Sequence, residues 1–309
     1  MRLAVMNKAI TFLLFLLLSF CSASAQDKKP FLAFASDTQE PMWIEKLFLK
    51  PDSNLKATRM IFEDVNKIHP SAMFILGDVV SLGESSSAWK NMDIYIKHTI
   101  QDSIPVYATL GNHEVMFNTK KGTKRFMVRF PMYNPAGYAE IVDSIAVILL
   151  NSNFGKMSDL EIVNQNTWYK NKLVALDNDP AVKFIIVGCH HSPYTNSRIV
   201  KPSTLVQKNF LPLFFQSKKC ALFISGHSHN FERFKVQGKY FLVIGGGGGL
   251  HQPLNANNDA MHDLSADYKP AFHYLEVQRD GDELKIVSRQ LKNDFSGFKD
   301  GLKFKVKAN

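Results

Sequence analysis

Short apolar runs recur along this chain, and each is closed by a polar or turn-forming residue. Phe31–Ser36, Ala72–Leu76, Pro105–Leu110, Ile145–Leu150, Phe184–Cys189, Ala221–Ser225 and Tyr240–Ile244 are each five or six residues long. Such runs predict strands buried on both faces. Between them lie helical patterns. Asn54–Ile68 places Leu55, Met60, Ile61, Val65 and Ile68 on one face ahead of Pro70, and Glu161–Leu176 and Thr204–Gln216 read similarly. Strands alternating with helices predict βαβ units. Tyr138–Val142 and Ile145–Leu150, joined by Asp143-Ser144, predict a hairpin. Phe231–Leu291 is strand-rich and predicts a second sheet of antiparallel character. No repeat or Pro/Ser-rich linker divides the chain, so the expectation is one domain over 26–309 with two sheets.

Composition narrows the class without naming it. The 309 residues are 45% hydrophobic and 21% charged, which excludes disorder, collagen-like repeats and a long coiled coil. Arg2 and Lys8 flank the start of an apolar run, Ala9–Leu18, that is followed by Ala23-Ser24-Ala25. Residues 1–25 therefore read as a secretory signal peptide, with Gln26 the mature terminus and a secreted or periplasmic location. The run is short for a bilayer span, so no stable membrane anchor is expected. Lipidation at Cys21 is a minor alternative, disfavoured by Phe20 before it. Net charge is +9, falling to +7 without the leader, which favours anionic ligands. Cys189 ends one run and Cys220 begins another. On neighbouring parallel strands they would lie at opposite ends, too far apart to bridge, and two buried thiols are expected.

The residues that follow the runs carry the chemistry. Phe31–Ser36 leads into Asp37-Thr38-Gln39, Met73–Leu76 into Gly77-Asp78, and Val106–Leu110 into Gly111-Asn112-His113-Glu114. Ile185–Cys189 leads into His190-His191-Ser192-Pro193, and Leu222–Ser225 into Gly226-His227-Ser228-His229. Ligands of open α/β sheets bind off the carboxyl ends of the strands. Five of the 10 histidines fall in these clusters, with the carboxylates of Asp37 and Asp78 and the amides of Gln39 and Asn112. Mixed O/N donors without thiolate suit Mn, Zn or Fe rather than a closed structural zinc site. A two-metal centre needs one carboxylate touching both ions, roughly 3.5–4 Å apart, and further donors divided between them. Asp and Asn also form turns; the ordered set, not any single residue, points to metal.

The order D-x-Q, G-D, G-N-H-E, H-x-P and G-H-x-H resembles the calcineurin-like metallophosphoesterase superfamily. His191-Ser-Pro-Tyr-Thr-Asn196, Gly226-His-Ser-His-Asn-Phe-Glu-Arg233 and the helix from Gln165-Asn-Thr-Trp168 to Leu173 are most similar to its purple acid phosphatase branch. The likeness spans nearly all of the chain after the leader. It implies an α/β fold: a four-layer α/β/β/α sandwich of two mixed sheets flanked by helices, holding two divalent metal ions. By position it implies Asp78 as the bridging carboxylate, Asp37 and His229 on one ion, and Asn112, His191 and His227 on the other. His191 is preferred to His190 on the H-x-P spacing to Pro193. His113 is implied to orient phosphate and protonate the leaving oxygen, with Glu114 holding its imidazole. Two departures matter. Gln39 stands where many members carry His, although its amide oxygen can still bind a hard ion, as in similar D-x-Q manganese-dependent diphosphatases. Ser81 replaces the tyrosine ligand of purple acid phosphatases, so a colourless protein is expected.

The implied activity is hydrolysis of a small-molecule phosphate ester by a metal-bridged hydroxide, with a phosphomonoesterase of acid-phosphatase type as the first reading. A phosphodiesterase or nucleotide-type diphosphatase, motivated by Gln39, is the alternative within the class. A non-catalytic metal- or phosphate-binding protein on the same scaffold is the alternative outside it. Nucleic acid is not an expected partner, because no basic motif with interleaved aromatics occurs. Gly245–Gly249 either cradles phosphate or lets backbone pass close to a neighbouring loop, and His251 beyond it is a candidate to reach the site. Lys120, Lys121, Lys124, Arg125 and Arg129 read as a solvated helix face, Tyr194 and Asn196 as pocket lining, and Glu232 with Arg233 as an internal ion pair. His69, His98, His262 and His273 read as structural, and loops 115–139 and 250–267 as shaping specificity.

Overall fold

The computed structural model describes residues 29–50, 53–255 and 260–307; the leader expected over 1–25 lies outside them. Among the described residues, twelve strands form two six-stranded sheets. In spatial order the first holds β12 (Phe298–Lys307), β11 (Glu283–Leu291), β10 (His273–Asp280), β1 (Phe31–Ala35), β2 (Ala72–Ile75) and β3 (Val106–Ala108). The second holds β4 (Tyr138–Val142), β5 (Ile145–Leu149), β6 (Phe184–Cys189), β7 (Cys220–Ser225), β9 (Lys239–Ile244) and β8 (Phe231–Val236). β1, β2 and β3 run parallel, as do β5, β6, β7 and β9, while the flanking pairs are antiparallel. Both sheets are therefore mixed.

Strand alternation builds the layers. In β5, Ile145, Val147 and Leu149 join the core that includes β1 and β2, while Ala146 and Ile148 face a second core. That second core is closed by Tyr169 and Leu173 of α5 (Asp159–Asn178) and by Phe214 of α7 (Leu211–Gln216). The first sheet packs against Ile61, Phe62 and Val65 of α1 (Asn54–Ile68) and Trp89, Met92 and Ile96 of α2 (Ser86–Gln101). Each fully buried aliphatic or aromatic side chain is worth about 1.5–3 kcal/mol, so these interfaces hold the sandwich without a covalent staple. The remaining helices are α3 (Asn112–Val115), α4 (Thr119–Arg129) and α6 (Thr204–Asn209).

The expected hairpin forms, its register running from Tyr138↔Leu149 to Val142↔Ile145. Cys220 pairs with Ile185 and Cys189 with Ser225, so the thiols sit buried at opposite ends of parallel neighbours, with no disulfide between them. Two expectations are corrected. The strand-rich stretch after Phe231 does not make a sheet of its own. β8 and β9 complete the second sheet, and β10 crosses to pair antiparallel with β1, bringing β11 and β12 with it. The helix expected over Thr204–Gln216 is two helices, because Pro212 has no N–H to continue the first and sits instead in the opening turn of α7. Among the described residues, no helix is long and apolar enough to cross a membrane.

Candidate metal centre

The carboxyl ends of β1, β2, β3, β6 and β7 converge, and the chain turns sharply at each. Asp37, Asp78 and His227 have φ of 59°, 48° and 66°, a region non-glycine residues rarely adopt. Hydrogen bonds hold them there. Asp37 N–H donates to Gly77 O (3.1 Å), Gln39 N–H to Asp78 O (3.1 Å), and His227 N–H to both carboxylate oxygens of Asp37 (3.1 and 3.0 Å). The glycines allow close approach: a Cβ on Gly111 would lie 2.1 Å from Asp78 Oδ1, and one on Gly226 2.2 Å from Asp37 Oδ2.

Two donor groups share Asp78. Asp78, His190 and His227 bring ligand atoms within 4.8 Å of one another, as do Asp37, Asp78 and His229. His190 Nε2 lies 3.1 Å from Asp78 Oδ2, 3.0 Å from Asn112 Oδ1 and 3.2 Å from His227 Nδ1. His229 Nε2 lies 3.3 Å from Asp37 Oδ1. Backbone carbonyls select the tautomers. Nδ1 of His190 donates to Leu76 O (3.0 Å), and Nδ1 of His229 to Leu250 O (2.8 Å), which turns each Nε2 to the centre. Gln39 is buried, with its amide nitrogen assigned to donate to Asp37 O (3.1 Å) and Asp78 O (3.0 Å). Its carbonyl oxygen is then the atom 3.4 Å from His229 Nε2. This all-O/N set, with one carboxylate common to both halves, fits two divalent ions of the Mn, Zn or Fe type.

The H-x-P spacing pointed to His191, but the structure brings His190 into the donor group. His190 is the first residue beyond β6 and faces the centre, whereas His191 pairs through Nδ1 with Ser152 Oγ (2.8 Å), its ring 4.5 Å from that of His227. Glu114 does not hold the His113 imidazole as expected. Its carboxylate accepts the N–H groups of Asp78 (2.9 Å), Gly111 (2.7 Å) and Val80 (3.1 Å). Ser81 O accepts from His113 Nδ1 at 2.9 Å, leaving His113 Nε2 3.8 Å from Asp78 Oδ2.

Burial and charge oppose each other throughout the centre. Burial would raise Asp78, yet the charges of His190 and His113 hold its carboxyl far below the usual range. Asp37 is treated alike: burial would raise it, but the His229 hydrogen bond and the His190 and His229 charges together lower it. Burial would depress His190, but the charge and hydrogen bond of Asp78 push it up to about 9. His113 is also raised, since Asp78 and the Ser81 carbonyl outweigh its burial. Burial, reinforced by the His190 charge, lowers His191 to about 3 and drives His227 well down. Burial and the Asp78 charge push Glu114 up to about 7.

Other candidates have structural uses. In the glycine run, Gly245, Gly247 and Gly249 donate to Asn230 O, Ser36 O and Asp37 O, so the run is a close backbone crossing rather than a phosphate cradle. His251 bonds Pro270 O instead of reaching the donors. Tyr194 packs on Phe241, and Asn196 donates to Met261 O. Glu232 forms no ion pair with Arg233; it accepts from Thr195, Asn196 and Ser228, and Arg233 lies over the Phe304 ring. Of the basic stretch on α4, Arg129 pairs with Asp93 and covers Trp89. Sequence reasoning missed Ser152, and it noted Ser81 only for the phenol it lacks; each holds an imidazole across a loop, a contact that leaves no signal in the sequence.

Residues 32–231 match the calcineurin-like phosphoesterase family. Curated protein sequences yield no match. Among solved structures, a purple acid phosphatase from yellow lupin (Lupinus luteus) seeds is similar at 16% identity and a TM-score of 0.68, covering 90% of this chain and 53% of its own. The chain thus spans about half the length of that enzyme. GAP50, the anchor in the inner membrane complex of Plasmodium, is similar at 16% identity and TM-score 0.65, covering 91% and 89%. A dimetal phosphatase from Danio rerio follows at 12% identity and TM-score 0.57, covering 92% and 100%. At such identities these likenesses speak for the fold.

Proposed function

The chain belongs to the calcineurin-like phosphoesterase family, and from that premise we propose that it hydrolyses small phosphate esters, phosphomonoesters first, at a dinuclear centre. The observation that carries the finer reading is the pair of donor groups sharing Asp78, with His113 beside them. In this reading Asp78 would be common to both ions, Asp37, Gln39 and His229 would hold one, and Asn112, His190 and His227 would hold the other. Two bound ions would supply an activated water and neutralise charge on the phosphoryl group.

The chain's own groups do the rest. The Ser81 carbonyl holds His113 Nδ1–H, so Nε2 faces the centre, and in the imidazolium form it is the atom that carries a proton toward the departing oxygen. Ser81 offers its carbonyl to His113 and no phenol to a metal, consistent with a colourless protein. The leader reading places the mature protein outside the cytoplasm, which the N-terminal sequence of the processed protein would test.

The test is hydrolysis of a chromogenic phosphomonoester and a phosphodiester by the metal-supplemented mature protein, with Asp78→Asn as control. Monoester turnover lowered at least about 10³-fold in the control is the expected result. Gln39 in place of histidine favours a second reading, a diesterase or diphosphatase, and preference for the diester would establish it. Metal binding without turnover of either ester would leave a non-catalytic binding protein.

A further inference from the structure

A groove of about 710 Å³ adjoins the centre and is built by the same loops that carry its donors. Trp43 and Ile44 follow Gln39, Leu82 follows Asp78, and Met116 and Phe117 follow His113. Trp43 is 73% exposed and Phe117 74%. Single exposed apolar residues are ordinary, but large ones converging on one concavity mark a binding surface. The wall is built rather than loose: Met42 N–H donates to the Glu45 carboxylate (2.6 Å), and Phe48 N–H to Glu45 O (3.0 Å). Ser81 ties groove to centre, since it lines the groove while its carbonyl holds His113.

We propose that this groove receives the leaving alcohol of the substrate, and that the alcohol is apolar: the preferred substrates are phosphate esters of hydrophobic alcohols rather than of sugars or other polyols. The inference rests on the phosphoesterase reading above, in which His113 stands on the leaving-group side. Hydrolysis breaks the P–O bond to the alcohol, forms one to the oxygen of water, and returns a proton to the alcohol oxygen. An alkyl chain in the groove stays buried until that bond is broken.

Linear alkyl phosphates from ethyl to octyl test this, because leaving-group basicity barely changes along the series. We expect kcat/KM to rise about two- to threefold per methylene until the groove is filled, since full burial of a methylene is worth about fourfold. In Trp43→Ser/Phe117→Ser the slope should flatten, with metal content and thermal midpoint confirming that the variant is folded. The matching alkylphosphonates give a readout without turnover. Trp89 is fully buried and Trp168 packs on the second core beside Gly137, so exposed Trp43 should report binding by a blue shift, with octylphosphonate bound at least about tenfold tighter than ethylphosphonate. Ester turnover with no dependence on chain length in either series would overturn the groove assignment and leave the enzyme. Chain-length-dependent binding without turnover of any ester would uphold the ligand class and overturn the enzymatic reading. A Trp43 shift on phosphatidylcholine–phosphatidylglycerol vesicles, with none on monomeric phosphonates, would make this surface a membrane contact and overturn the proposal.

Discussion

At the end of β6 two adjacent histidines face different surroundings, and the difference is testable. His190 Nε2 meets Asp78, Asn112 and His227, whereas His191 Nδ1 meets Ser152. His190→Ala should weaken metal binding by well over tenfold, while His191→Ala should retain metal at nearly full stoichiometry; metal content after dialysis distinguishes them. Equal losses would return His191 to the donor set. Asp37, Asp78, Asn112, His227 and His229 were legible in the sequence because each lies just past an apolar run. His190 lies there too, but counting back from Pro193 obscured it. Glu114 was legible as part of G-N-H-E, yet its use was not. A carboxylate that collects backbone N–H groups from Asp78, Val80 and Gly111 leaves no residue pattern at those three positions.

Among the elements, the parallel strands were plain because burial leaves them almost wholly apolar, Lys239 opening β9 and Ser225 closing β7 being the exceptions. α2 was harder to read: Trp89, Met92 and Ile96 make its buried stripe, but Ile94 and Ile100 are exposed and blur it. The glycine run shows its function only in contacts. Asn54 donates to Gly248 O and Gly249 O, and Thr58 to Gly247 O, so the first turns of α1 clamp the run against the end of β1. A Cβ on Gly249 would meet the His229 ring at 2.5 Å, whereas one on Gly155 would meet nothing within 4 Å. Gly249→Ala should therefore displace His229 and lower phosphoesterase activity at least about tenfold, and Gly155→Ala should stay within about 0.5 kcal/mol of the parent in urea unfolding. An active Gly249→Ala would show that the His229 loop yields freely.

For the whole molecule, what sequence could not show was how the late strands divide between two sheets. That depends on long-range pairing: Phe34 opposite Leu275 in the first sheet, Phe231 opposite Ile244 in the second. His273 sits at this division, its ring against Phe231 and next to Gly246, with neither ring nitrogen hydrogen-bonded. Burial lowers it to about 3, assisted by the charges of His251 and Lys269. The unfolded chain takes this proton near pH 6.5 and the folded chain does not. Its contribution to stability is therefore full above pH 6.5 and shrinks by roughly 1.4 kcal/mol per pH unit as pH falls toward 3. His273→Leu should shift the acid-unfolding midpoint to lower pH, read by circular dichroism; an unchanged midpoint would mean that the ring is protonated in the fold.

The placement of Cys189 and Cys220 bears on how such a protein can be handled. Burial pushes the Cys220 thiol up to about 12 and Cys189 higher still, so neither offers a thiolate for exchange while the sandwich is closed. With no cross-link between them, glutathione or dithiothreitol should leave the thermal midpoint of the chain from Gln26 onward unchanged. Each cysteine instead becomes a clock. Thiol-reactive dye should label neither in the native state and both on opening, at a rate that reports how often opposite ends of the central parallel strands come apart.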